Sequence, residues 1–104
     1  MKNVVQFKKP MRADEFENTV KERSKFSHMV FMTDHIKAQM AKRRISQRQI
    51  INVLRKGKMA NDPQENQAHA SIEGKMKYHG TGREITVVCG IQQSNLLVFA
   101  ITVY

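Results

Sequence analysis

Hydrophobic and polar positions change rhythm once along this chain, close to Pro63. Upstream, apolar residues recur at helical spacing; downstream, they alternate. Asn3–Phe7 reads as a short edge strand closed by Lys8, Lys9 and Pro10. Ala13–Lys25 reads as a surface helix with acids at its start and bases near its end, as the helix dipole favours. With few apolar residues beyond Phe16 and Val20, it is expected to be peripheral. Ser24–Phe31 fits a loop or a short extended segment equally.

A helical hairpin follows. Thr33 is a good N-cap, Ile36 and Met40 share one stripe, and His35, Gln39 and Lys42 share the neighbouring face. The turn is Arg43-Arg44-Ile45. Ser46 with Gln49 forms a capping-box pattern at the next helix, whose inward arc is Ile50, Ile51, Val53 and Leu54. Arg48, Asn52 and Arg55 look the other way. Gly57 stands where a left-handed C-cap is expected.

Beyond Pro63, Ala68, Ala70, Ile72, Gly74, Met76 and Tyr78 alternate with His69, Ser71, Glu73, Lys75, Lys77 and His79. This is a strand with one buried and one wet face. Gly80-Thr81-Gly82 makes a hairpin loop to a strand over Arg83–Gln92, and Gln93-Ser94-Asn95 turns into a last strand over Leu96–Tyr104. That strand is apolar on both sides and is expected to be central. The predicted class is α+β, with the N-terminal helices on one face of an antiparallel sheet of three to four strands. Residues 1–30 read as an extension of strand and helix before a domain at 31–104.

Charge adds a direction. The net charge is +9, and residues 1–58 carry fifteen Lys/Arg against five Asp/Glu. Eight basic residues and no acid lie between Lys37 and Lys58. A surface this one-sided points to a polyanion, nucleic acid first. The single cysteine, Cys89, sits in an apolar run and reads as a buried, reduced thiol. No apolar run is long enough for a membrane span and the start lacks a signal-peptide pattern, so a cytoplasmic location is expected.

Candidate chemistry is metal-free. One Cys, scattered His and no paired carboxylates leave no metal site in the local spacing, and no phosphate-binding loop or nucleophile elbow occurs. His35 stands beside the core stripe among cations. It is either a solvated residue near a helix start or an acid–base group for cleavage at a ribose 2′-OH. The wet strand face gives Lys75, Lys77 and His79, with Arg83 opening the partner strand. These are either a solvated face or groups for a scissile phosphate. Were that face to turn towards His35, one cationic cleft would result. Lys42, Arg48 and Arg55 complete the expected RNA-binding set.

Four motifs stand together from Phe31 onwards: Thr33-x-His35 with Arg43 and Arg44, the Ile45-Ser46 helix start, the Lys56-Gly57-Lys58 exit, and the ending Ile101-Thr102-Val103-Tyr104. In these the chain resembles the bacterial family called domain of unknown function 4258. The resemblance implies a domain similar to the barnase–EndoU–colicin–RelE group of small metal-independent ribonucleases, which often act as toxins. On that resemblance His35, Arg43 or Arg44, Thr102 and Tyr104 belong to the catalytic site, without cofactor. RNA is then the substrate and an acidic antitoxin protein the implied partner. Two other readings use the same surface: a helix-turn-helix-like nucleic-acid-binding module, and an adaptor held by an acidic protein.

Overall fold

The computed structural model describes residues 11–80 and 82–104. The strand expected at Asn3–Phe7 and residue Thr81 of the hairpin loop lie outside them. Three helices form: α1 (Ala13–Ser24), α2 (Asp34–Arg43) and α3 (Gln47–Lys56). The strands are β1 (Val30–Met32), β2 (Lys58–Met59), β3 (Gln64–Asn66), β4 (Ser71–Gly80), β5 (Arg83–Gln92) and β6 (Val98–Val103). The class is α+β, as the change of period implied.

The described sheet has six strands rather than three to four, in the order β1-β6-β5-β4-β2, with β3 also paired to β4. The additions are the short strands β1, β2 and β3. β1 runs parallel to β6 through Val30↔Val98 and Phe31↔Phe99, which settles Ser24–Phe31 as a short helical turn followed by a strand. β2 and β3 share the outer edge of β4, opposite Met76–Lys77 and Ser71–Glu73 respectively. Strands of two or three residues show no period of their own; a distant partner makes them strands.

The alternation in β4 appears from Ile72 onwards; Ser71, expected on the wet face, is buried. Ile72, Gly74 and Met76 are buried, while Lys77 and His79 are exposed. Ala68 and Ala70 are not in the strand. Gln67–His69 is a 3-10 turn, and Ala70 takes a left-handed conformation that admits the chain to β4. β6 begins at Val98, because Leu96 is also left-handed and lies in the turn before it. It is interior to the sheet, between β1 and β5.

Residues opposite one another across strands point to the same side. On one side, Ile72, Met76, Ile85, Val87, Cys89, Ile91, Val98, Ala100 and Val103 meet Ile36, Ile50, Val53 and Leu54 of the hairpin in one core. Helix α1 belongs to this core and is not peripheral: Phe16 and Val20 are fully buried, and α1 packs against α3. Two well-placed apolar residues suffice, since one lies a turn above the other on the same face.

The local signals of the hairpin appear as read. Thr33 Oγ accepts the Ile36 N–H at 3.1 Å. Ser46 Oγ accepts from the Gln49 N–H at 3.2 Å while Gln49 Oε1 accepts the Ser46 N–H at 2.8 Å. Gly57 differs: its backbone is extended, with φ −74° and ψ 178°. A Cβ there would lie 2.5 Å from the Val53 carbonyl oxygen and 2.8 Å from that of Lys77. Glycine is required by close approach of α3 to β4, not by a left-handed cap. The left-handed residue of the hairpin is Arg44, φ 56°.

Candidate nucleic-acid interface

The helices all pack on the apolar side, so among the described residues no helix covers the other side of the sheet. Strand pairing sets out this open face in rows. His79 lies opposite Glu84, Lys77 opposite Thr86, and Lys75 opposite Val88, which in turn lies opposite Thr102. Thr86 and Tyr104 exchange both backbone hydrogen bonds, at 2.8 and 2.9 Å, which puts Tyr104 in the Lys77 row. The next row holds Glu73, Gly90, Phe99 and Phe31. Five sequence candidates therefore share one surface: Lys75, Lys77, His79, Thr102 and Tyr104.

Contacts bind this surface together. Lys75 Nζ lies 5.7 Å from the centroid of the Tyr104 ring, a cation–π arrangement. Phe31 and Phe99 stack with centroids 5.5 Å apart. Phe31 is 48% exposed and Tyr104 47%. Exposed rings among cations on a sheet suit single-stranded nucleic acid, whose bases stack while its phosphates meet the charges.

The start of α2 meets the edge of this region at Thr33, two residues before His35. Thr33 Oγ donates to the Ile101 carbonyl at 2.9 Å and its N–H donates to the Ala100 carbonyl at 3.2 Å, so the start of α2 is fastened to β6. His35 is exposed in that first turn, and no side chain among the described residues hydrogen-bonds to it. The body of the hairpin, however, lies on the far side of the sheet from Lys75 and Lys77. The face does not turn towards the hairpin to make one cleft.

The other cations separate into two kinds. Arg83 points to the helix side, where its guanidinium donates to the carbonyls of Arg43 at 2.8 Å and Arg44 at 3.4 Å. It ties the β4–β5 hairpin to the α2–α3 turn and brings three arginines together. Beside them a cavity of about 220 Å³ opens between α3 and the strands, lined in part by Asn52, Lys56, Tyr78 and Arg83. Arg43 Nε also donates to Gln39 Oε1 at 3.3 Å. Arg55 donates to the carbonyls of Ser24 at 2.7 Å and Lys25 at 3.1 Å, closing the end of α1. Its guanidinium is engaged within the fold. Lys42 and Arg48 are exposed on the helices.

Sequence reasoning passed over the lower end of the open face. A cavity of about 470 Å³ lies there, lined by residues that include Thr33, Asn66, His69, Glu73, Gly90 and Phe99. Its visible signals were the expected wet-face positions of His69, Ser71 and Glu73. No group of three or more His, Cys, Asp or Glu residues that could hold a metal occurs among the described residues. Cys89 is buried beneath the sheet, and burial first, then the nearby Glu73 charge, pushes its thiol up and keeps it protonated.

Comparison with known families decides the classification. The model of the family described as domain of unknown function (DUF4258) matches residues 32–104. The chain belongs to this family. The match begins at Met32 and so takes in Thr33, His35, the helical hairpin and every strand from β2 to β6. Comparison with curated proteins and with solved structures gave no match. Among the described residues no helix is long and apolar enough to cross a membrane.

Proposed function

We propose that this DUF4258 protein is a small metal-independent ribonuclease of toxin type, working in the cytoplasm. The observation that supports the reading best is the shared open face, where Lys75 and Lys77 of β4 occupy adjacent rows with Thr102 and Tyr104 at the end of β6, the strand that also anchors the start of α2. RNA lies along that face. Its phosphates meet Lys75 and Lys77, and its bases lie against exposed rings.

In the proposed reaction the ribose 2′-oxygen attacks the adjoining phosphorus as the bond to the 5′-oxygen breaks. The products are a 2′,3′-cyclic phosphate end and a 5′-hydroxyl end. One proton leaves the 2′-OH and one returns to the 5′-oxygen; His35 is the acid–base group for this exchange. Lysine charge next to the phosphate favours the more highly charged transition state. Arg43 and Arg44 lie at the far end of α2 beside Arg83, on the helix side, and form a cationic patch separate from the lysine rows. A neutralising partner would be acidic and would cover the same cations.

The helix-turn-helix alternative needs the outer face of α3 free for a groove. Helix α1 packs against α3 and Arg55 is engaged with the end of α1, so that face is partly occupied. Cleavage is tested with purified protein and mixed RNA in EDTA. Expected are 2′,3′-cyclic phosphate ends, and a loss of about 10²–10⁴-fold in rate for His35→Ala with RNA affinity retained. RNA left intact by the wild-type protein overturns the proposal, and salt-sensitive binding without cleavage returns the chain to a plain binding module.

A further inference from the structure

The cavity at the lower end of the open face has a chemistry different from the lysine rows above it. Its wall is the Phe99 ring, itself stacked on Phe31. Its floor is Gly90, where a Cβ would come within 3.3 Å of Glu73 Cγ and 3.5 Å of Ile101 Cδ1. The absent side chain leaves open the space between carboxylate and ring. Glu73 is held from one side only: its Oε2 accepts from Asn66 Nδ2 at 3.0 Å and from Ser71 Oγ at 3.5 Å. Among the described residues Oε1 has no hydrogen-bond partner, so Glu73, which lines the cavity, keeps one acceptor oxygen unused.

A carboxylate repels a phosphate, so in an RNA complex this end of the face is not where the backbone runs. Lys75, two residues along the same strand side, is. What Glu73 attracts is a hydrogen-bond donor, and what Phe99 attracts is a flat π-face. At about 470 Å³ the space is within the usual range for small-molecule sites.

We infer that this cavity is a nucleobase subsite that takes a base carrying an exocyclic amino group, stacked on Phe99 and donating to Glu73 Oε1. The inference rests on RNA being the ligand. Adenine, guanine and cytosine carry such a group. Uracil does not, and its one ring N–H stands between two carbonyls that would face the carboxylate.

The test is titration of the full-length protein with AMP, GMP, CMP and UMP at low salt, followed by chemical-shift changes at Gly90, Gln92 and Phe99. The three amino-bearing nucleotides should bind about tenfold more tightly than UMP, the size of one hydrogen bond to a charged group. Glu73→Gln should reverse the order. Asn66 and Ser71 hold the carbonyl oxygen of the amide, which turns its NH₂ to the cavity and converts the acceptor into a donor that suits the uracil carbonyls. Phe99→Leu should weaken all four together and keep their order. Equal binding of the four nucleotides by the wild-type protein overturns the subsite whether or not a variant folds, as does an order unchanged by Glu73→Gln in a folded variant. Cleavage is read separately. Selective binding by wild type and His35→Ala with RNA left intact keeps the subsite and removes the ribonuclease, whereas cleavage with four equal affinities does the reverse.

Discussion

The two faces of this sheet are made by the same strands, one residue out of step, and they obey different rules. The covered face is a continuous apolar surface closed by three helices, with Phe16, Ile36, Ile50, Leu54, Met76 and Ile91 almost wholly removed from water. The open face mixes lysines, exposed rings and one oriented carboxylate. On the covered face each side chain is fixed by the volume around it. On the open face each is held by few partners and is available to something else. Stability resides on the first face and, on the reading proposed above, recognition on the second.

Substitutions can break that division. Phe16→Ala should cost most, about 3–5 kcal/mol, because it empties a fully buried site between α1 and β4. Urea denaturation measures it; a loss well under 1 kcal/mol would return α1 to the periphery. Arg55→Ala should cost about 1 kcal/mol, since water replaces part of what the Ser24 and Lys25 carbonyls lose. Its RNA affinity should stay near that of the wild type. If affinity falls and stability does not, Arg55 is an RNA contact after all.

Glu17 gives a smaller effect with a defined pH sign. Partial burial pushes its carboxyl up, but the Met59 N–H at 2.9 Å and the Lys21 ammonium at 3.2 Å outweigh this and hold it below its ordinary value of 4.5. A carboxyl lowered in the folded state stabilises the fold above its unfolded value, and loses that contribution as pH falls through the folded one. Wild type should therefore exceed Glu17→Gln in stability at neutral pH, with the gap closing in acid below about 4.5. A gap that widens in acid would refute the pairing. Least disturbed of all should be the double change Lys75→Ala with Lys77→Ala, within about 0.5 kcal/mol of wild type. Its effect belongs to RNA: the salt slope of binding should drop by about 1.4, the value for two phosphate contacts on a single strand.

Much of the frame was readable without coordinates because it rests on near neighbours. Thr33 and Ser46 cap helices through residues three positions away, and the Ile72-Gly74-Met76 period reports burial directly. Strand β1 was not readable, since Val30–Met32 is a strand only by lying along Val98–Ala100. The candidate site divides in the same way. Lys75, Lys77 and His79 were placed on one wet face by their spacing, and Tyr104 joins them through its pairing with Thr86 and the Lys75 ammonium over its ring. Arg55 and Arg83 looked like free cations. Their partners are carbonyls 31 and 40 residues away, which no local pattern records.

The sequence by itself determined that two capped helices precede a two-faced sheet, and that the charge lies mainly in the N-terminal half. Those properties follow from side chains acting on backbone within a turn or along one strand. Tertiary structure alone decided which cations stay available, why Gly57 is glycine, and that Glu73, Gly90 and Phe99 enclose one space. Each depends on elements that meet only when the core closes. The hydrophobic pattern commits one face of every element to the core and leaves the arrangement of the other face to pairing register.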